Sequence, residues 1–157
     1  MTPNFTLSEL TRSETAATLH INNEPGTIPL ANLKELCENI LQPLRNVYGK
    51  PIIVNSGFRS VALNAAIGGA RNSQHMLGQA VDITASHTFP KGSSAAANAN
   101  GNGSDAASYN YREENRYLYH LILALKLPFD QLIDEKNYSW LHVSYGPRNR
   151  RQILHLN

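Results

Sequence analysis

Ser73-Gln74-His75-Met76-Leu77-Gly78-Gln79-Ala80-Val81-Asp82 sets an imidazole and a carboxylate on either side of a glycine-containing turn, and a second imidazole, His142, lies in the run Trp140-Leu141-His142-Val143-Ser144. If 80–84 and 140–144 are neighbouring strands of one sheet, His75, Asp82 and His142 converge as a two-histidine, one-carboxylate set. Such a set binds zinc with a fourth position open to water, which is the catalytic arrangement; structural zinc is usually closed by four protein ligands. The same spacing also suits a surface His–Asp pair or a core histidine satisfied by its neighbours. Cys37 is the single cysteine, so neither an intramolecular disulfide nor a Cys-rich zinc site is available.

The elements that must position these residues follow from local pattern. Thr6-Leu7-Ser8-Glu9 has the form of a capping box and predicts a short helix. Leu33, Leu36, Cys37, Ile40, Leu41, Leu44 and Val47 recur at three- and four-residue steps, one apolar helix stripe stopped by Gly49 and kinked or ended by Pro43. A buried inert thiol is expected of Cys37 on that stripe. The β-branched run 51–55 reads as a strand, 61–67 as a short helix ended by Gly68-Gly69, and 80–84 as the next strand. Leu118, Leu121, Ile122 and Leu125 predict a further helix, with Glu113 and Glu114 at its start and Lys126 at its end, as the helix dipole prefers. The runs 129–133 and 140–144, separated by the polar 134–139, predict antiparallel strands joined by a turn. Helices and strands come in blocks without regular alternation, so the expected class is α+β, a small antiparallel sheet with helices packed on it.

Composition bounds the function. The chain has 157 residues, 41% hydrophobic and 17% charged, enough for one domain, 1–157, that buries about two-thirds of its unfolded surface. Within it, 92–104 contains only Gly, Ser, Ala and Asn, which predicts a flexible loop at about 86–110, with a lid over a cleft as the functional alternative. A formal charge of +2 argues against a dedicated nucleic-acid binder. No stretch approaches the roughly 20 apolar residues of a membrane span, and the first residues lack the pattern of a secretory signal, so a soluble chain is expected. Arg148, Arg150 and Arg151 form a basic cluster that suits a solvated tail or an attraction for an anionic polymer.

Taken together, Ser56-Gly57-Phe58-Arg59-Ser60, Asn64, Gly68-Gly69, Ser73-x-His75-x-x-Gly78-x-Ala80-x-Asp82 and Trp140-x-His142-Val143-Ser144 resemble the zinc D-alanyl-D-alanine carboxypeptidase family. That family shares its fold with the hedgehog signalling domain and with phage L-alanyl-D-glutamate endopeptidases. The opening Phe5-Thr6-Leu7-Ser8-Glu9-Leu10, with Ser13 and Asn23-x-Pro25, is similar to a bacterial and phage branch of it. The resemblance implies zinc held by His75, Asp82 and His142, and Arg59 facing the substrate to hold a carboxylate or stabilise an oxyanion. It also implies an acidic general base shortly before the last zinc histidine. Glu135 is the first candidate, with Asp134 and Asp130 as alternatives in or beside the inter-strand turn. Trp140 departs from relatives that carry a histidine two positions before the last ligand. Ser73 and Gln74 could bond substrate or support the site, or Ser73 could simply cap a turn. His20, His87, His120 and His155 have no matched partner in the pattern. The function implied is hydrolysis of peptidoglycan stem peptides at the bacterial cell wall, as carboxypeptidase or endopeptidase, in a protein that is cytoplasmic until released or is phage-associated. A zinc-stabilised module that binds wall peptides or a protein without cutting them is the alternative.

Overall fold

The computed structural model describes residues 1–86 and 110–157; His87 and the low-complexity stretch 92–104 lie outside the described residues. Two short helices open the chain, α1 (Leu7–Thr11) and α2 (Glu14–Thr18). Thr6 caps the first: Glu9 N donates to Thr6 Oγ1 at 3.2 Å, and Thr6 N donates to the Glu9 carboxylate at 2.8 Å, the reciprocal pair of a capping box.

Next comes α3 (Thr27–Leu36), which runs through a π-helical turn (Cys37–Leu41) into α4 (Gln42–Tyr48), where Pro43 sits in the first turn. The π-turn admits one extra residue per turn and so rotates the apolar stripe. Leu33, Leu36, Cys37, Ile40, Leu41 and Leu44 are fully buried as the periodicity predicts, but after the turn Tyr48 takes the inward position and the predicted Val47 is 56% exposed. Gly49 ends the helix in the left-handed region. Burial pushes the Cys37 thiol up to about 12, consistent with an inert core residue.

Five strands form one sheet in the order β1-β2-β4-β3-β5: β1 (Ile52–Ser56), β2 (Ala80–Ala85), β3 (Gln131–Glu135), β4 (Trp140–Ser144) and β5 (Gln152–Leu156). Between β1 and β2 come α5 (Val61–Ala66) and a 3₁₀ turn (Gln74–Leu77); α6 (Tyr111–Ala124) precedes β3. The β1–β2, β2–β4 and β3–β4 pairs are antiparallel, as expected. Two features differ from expectation. The sheet is mixed, because β5, a strand the sequence reading did not predict, pairs parallel to β3 at the open edge. β3 also begins and ends two residues later than 129–133, so Asp134 and Glu135 belong to the ladder, opposite Leu141 and Trp140, and the turn is confined to 136–139. Lys136, Asn137 and Tyr138 carry its positive φ angles.

Alternation sorts the sheet into two faces. Val81, Ile83, Leu132, Leu141 and Val143 join the α3–α4 stripe and Leu118 and Ile122 of α6 in one core. Fully burying such side chains contributes roughly 1.5–3 kcal/mol each. Asn115 of α6 ties the layers together: its Oδ1 accepts from Ala85 N at 2.7 Å, and its Nδ2 donates to the Tyr138 and Ser139 carbonyls of the hairpin turn at 2.8 and 3.2 Å.

Candidate metal centre

On the face of the sheet away from the helices, Asp82 and His142 sit directly opposite each other on β2 and β4, which are neighbours. His75 comes from the 3₁₀ turn, capped by Ser73, whose Oγ accepts from His75 N at 3.3 Å. Gly78 closes that turn at φ +68°, and a Cβ there would stand 2.2 Å from the Pro29 carbonyl oxygen, so the motif glycine is required by both backbone conformation and close packing.

His142 Nδ1 lies 2.9 Å from Asp82 Oδ1, His75 Nε2 lies 3.3 Å from the same oxygen, and the two histidine nitrogens are 3.3 Å apart. Ligands about 2.0–2.1 Å from a tetrahedral zinc are separated from one another by roughly 3.3 Å. The three donors therefore already have nearly the spacing of one face of a zinc coordination tetrahedron, and they could hold a metal ion together. His75 is 3% exposed and donates from Nδ1 to the Gly57 carbonyl at 2.7 Å, which leaves Nε2 with its lone pair toward the shared point. Burial opposes the charge on Asp82, but the adjacent His142 and His75 imidazoles outweigh it and hold the carboxyl well below its usual range.

Arg59 donates from Nη2 to Asp82 Oδ2 at 2.7 Å and from Nε to Ser56 Oγ at 2.9 Å. A register shift between Val54 and Ser56 brings Ser56 opposite Asp82 and so within reach of Arg59. Sequence reasoning placed Arg59 against the substrate; its guanidinium lines the cleft and also orients a candidate ligand. The turn that carries it hangs on a residue the motif reading quoted but gave no role. Asn23 donates to the Thr11 and Phe58 carbonyls at 2.8 and 3.1 Å and accepts from Ser60 N at 2.7 Å.

The three candidate bases separate clearly. Glu135 shares an open cleft of about 500 Å³ with His75, Asp82, His142, Arg59 and Trp140. Burial, with Asp82 and Asp134 nearby, raises its carboxyl above the ordinary value despite the opposing effect of His142. Asp134, one residue away, points through the opposite face, is 3% exposed and pairs with His155. Asp130 is fully buried and bound by Arg150 and Gln74, which hold its carboxyl at about 2. His20 and His120 are exposed and do not line the cleft. Of the basic cluster, Arg150 binds Asp130, and Arg151 donates to the Leu127 carbonyl and lies 4.6 Å over the Phe129 ring, so neither belongs to a solvated tail.

Two imidazoles, a carboxylate and an unattached acid in one open cleft of an α+β sheet are the equipment of a metal-assisted hydrolase. Residues 3–117, which include Arg59, His75 and Asp82, match the family profile described as peptidase M15, and the chain belongs to that family. A stretch of 60 residues is 52% identical to the zinc D-Ala-D-Ala carboxypeptidase of Streptomyces albus G, covering 37% of this chain and 24% of that protein. The match thus spans about a quarter of the curated relative. Among the described residues no helix is long and apolar enough to cross a membrane.

Proposed function

We propose that this chain is a zinc-dependent peptidase that hydrolyses peptide bonds of peptidoglycan stem peptides at the bacterial cell wall. The observation that carries the reading is the spacing of His75 Nε2, Asp82 Oδ1 and His142 Nδ1, 2.9–3.3 Å apart, in a cleft that also holds Glu135. The relative's name, a zinc carboxypeptidase acting on D-Ala-D-Ala, supports both the metal and the substrate class.

His75, Asp82 and His142 would hold zinc. When bound, zinc supplies a Lewis acid for the scissile carbonyl and lowers the pKa of water from about 16 to about 7. Glu135 accepts the proton of the attacking water and delivers it to the leaving amine nitrogen as the peptide C–N bond breaks. A carboxyl raised above its usual range is better matched to both halves of that transfer. Arg59 orients Asp82 through its Nη2 bond and offers its guanidinium to the negative charge that develops on the carbonyl oxygen. Trp140, opposite Glu135 in the ladder, supplies an apolar wall.

Substitution tests the assignment. Replacing His75, Asp82 or His142 by Ala abolishes zinc binding, whereas Glu135→Gln keeps zinc and loses hydrolysis; hydrolysis retained by Glu135→Gln would move the base elsewhere.

A further inference from the structure

Asp130 is fully buried, yet its partners stand in the cleft wall. Its Oδ1 accepts from the Arg150 backbone N at 2.8 Å and from Nε at 2.9 Å, while Oδ2 accepts from Arg150 Nη2 at 2.6 Å and from Gln74 Nε2 at 2.9 Å. A buried carboxylate is tolerated only when its charge and lone pairs are matched, and these four bonds match it. They also fix the guanidinium in one orientation beside the turn that carries His75. Arg150 spends the Nε/Nη2 edge of its fork on Asp130; its side chain remains 37% exposed, and Nη1 has no hydrogen-bond partner among the described residues.

Arg148 lines the same cleft, is exposed, and has no ion pair among the described residues. The acids that face this cleft are otherwise committed: Asp82 to Arg59 and the two histidines, and Glu135 to proton transfer in the reading above. A tether for 146–151 would need Arg150 and Asp130 but neither an exposed guanidinium edge nor Arg148.

We propose that Arg148 and Arg150, the latter held by Asp130 and Gln74, form a carboxylate-recognition site that fixes an anionic group of the peptide next to the metal-ligand triad. This rests on the peptidase reading for the identity of the ligand as a peptide. An oriented guanidinium is suited to a planar, two-oxygen anion, which a lysine in its place would hold only as a point charge. The carboxylate can come from the peptide's C-terminus or from an acidic side chain.

The test uses the zinc-loaded full chain in a Glu135→Gln background and a stem peptide in three forms: free acid, C-terminal amide and side-chain amide. Trp140 is the only tryptophan and lines the cleft, so its fluorescence reports binding without turnover. The free acid binds about 10-fold tighter than one of the amides, the expected size for a charge-assisted contact, and the amide that loses affinity identifies the source of the carboxylate. In Arg148→Gln and in Arg150→Lys that preference shrinks below about 3-fold, while affinity for the weaker amide is unchanged. Arg148→Gln leaves the Asp130 bonds untouched, so its result stands even if Arg150→Lys folds poorly. Equal affinity for all three forms, or a preference that survives both substitutions, overturns the site. Selective binding by a parent chain that cuts no peptide would instead overturn the peptidase reading and leave the recognition site standing.

Discussion

Gly57 presents its carbonyl oxygen to His75 Nδ1 at 2.7 Å, while its α-carbon lies against the backbone of Leu10. A Cβ on Gly57 would stand 2.2 Å from the Leu10 carbonyl oxygen, which already accepts from Phe58 N at 2.7 Å. The N-terminal helix α1 thus packs directly on the residue whose carbonyl binds a candidate metal ligand.

Gly57→Ala should therefore weaken zinc binding more than it disturbs the sheet. The expected loss is roughly 10- to 100-fold in affinity, the usual effect of removing a group that orients a ligand. Competition against a chromophoric chelator measures it, with circular dichroism to establish that the fold is kept. Unchanged affinity would mean that the Gly57 contact does not orient His75.

Neighbouring carboxylates give opposite expectations. Glu135→Gln lowers turnover by roughly 10²- to 10⁴-fold with zinc content unchanged, whereas Asp134→Asn, on the far face of the sheet and paired with His155, leaves kcat within a few-fold of the parent. Because Glu135 must be ionised to accept a proton and its carboxyl is raised, activity should fall on the acid side at a pH above the ordinary glutamate value of 4.5. A pH–rate profile for kcat/KM checks the position of that limb; its persistence in Glu135→Gln would assign it to another group.

Asn115 bonds β2 and the 136–139 turn at once, through three contacts of 2.7–3.2 Å from a fully buried amide. Asn115→Ala should cost about 2–4 kcal/mol, since it strands buried donors and acceptors on both partners. Urea denaturation gives the number, and a loss below about 0.5 kcal/mol would show that the hairpin holds itself.

Stability in acid should depend on Asp130. Its folded carboxyl is held at about 2 against an ordinary 3.8, so the charged form stabilises the fold above about pH 4 and that contribution is lost as pH falls toward about 2. Asp130→Asn should be less stable at neutral pH and lose less further stability across that span. Asp82 is equally depressed in both proteins, so the difference between their urea midpoints isolates Asp130. Parallel declines would remove it as the source.

The candidate triad was legible through the resemblance, because each of its two motifs is local even though 60 residues separate Asp82 from His142, whereas spacing alone left a surface His–Asp pair equally open. Asp82 and His142 each lie mid-strand, in runs whose β-branched and aromatic residues mark them as strands, and the glycine of Ser-x-His-x-x-Gly has a backbone reason at Gly78. Which acid faces the cleft was not legible, because it depends on where β3 ends: with Asp134 and Glu135 read as turn residues, nothing distinguished their faces, and two more ladder positions send one to each side. β5 escaped because Gln152-Ile153-Leu154-His155-Leu156 is a mostly exposed edge strand whose only neighbour is β3, twenty-one positions away in register. Likewise the Arg150–Asp130 pair joins residues whose proximity depends on that parallel pairing. Val47 was assigned inward by a strict helical period that the π-turn at Cys37–Leu41 interrupts.

Digestion of purified peptidoglycan by the zinc-loaded chain, with and without chelator, tests the central claim most directly. The account predicts release of new amino groups that stops on chelation and returns when zinc is restored. A chain that carries about one zinc yet releases no amino groups would contradict it and favour the wall-binding module instead.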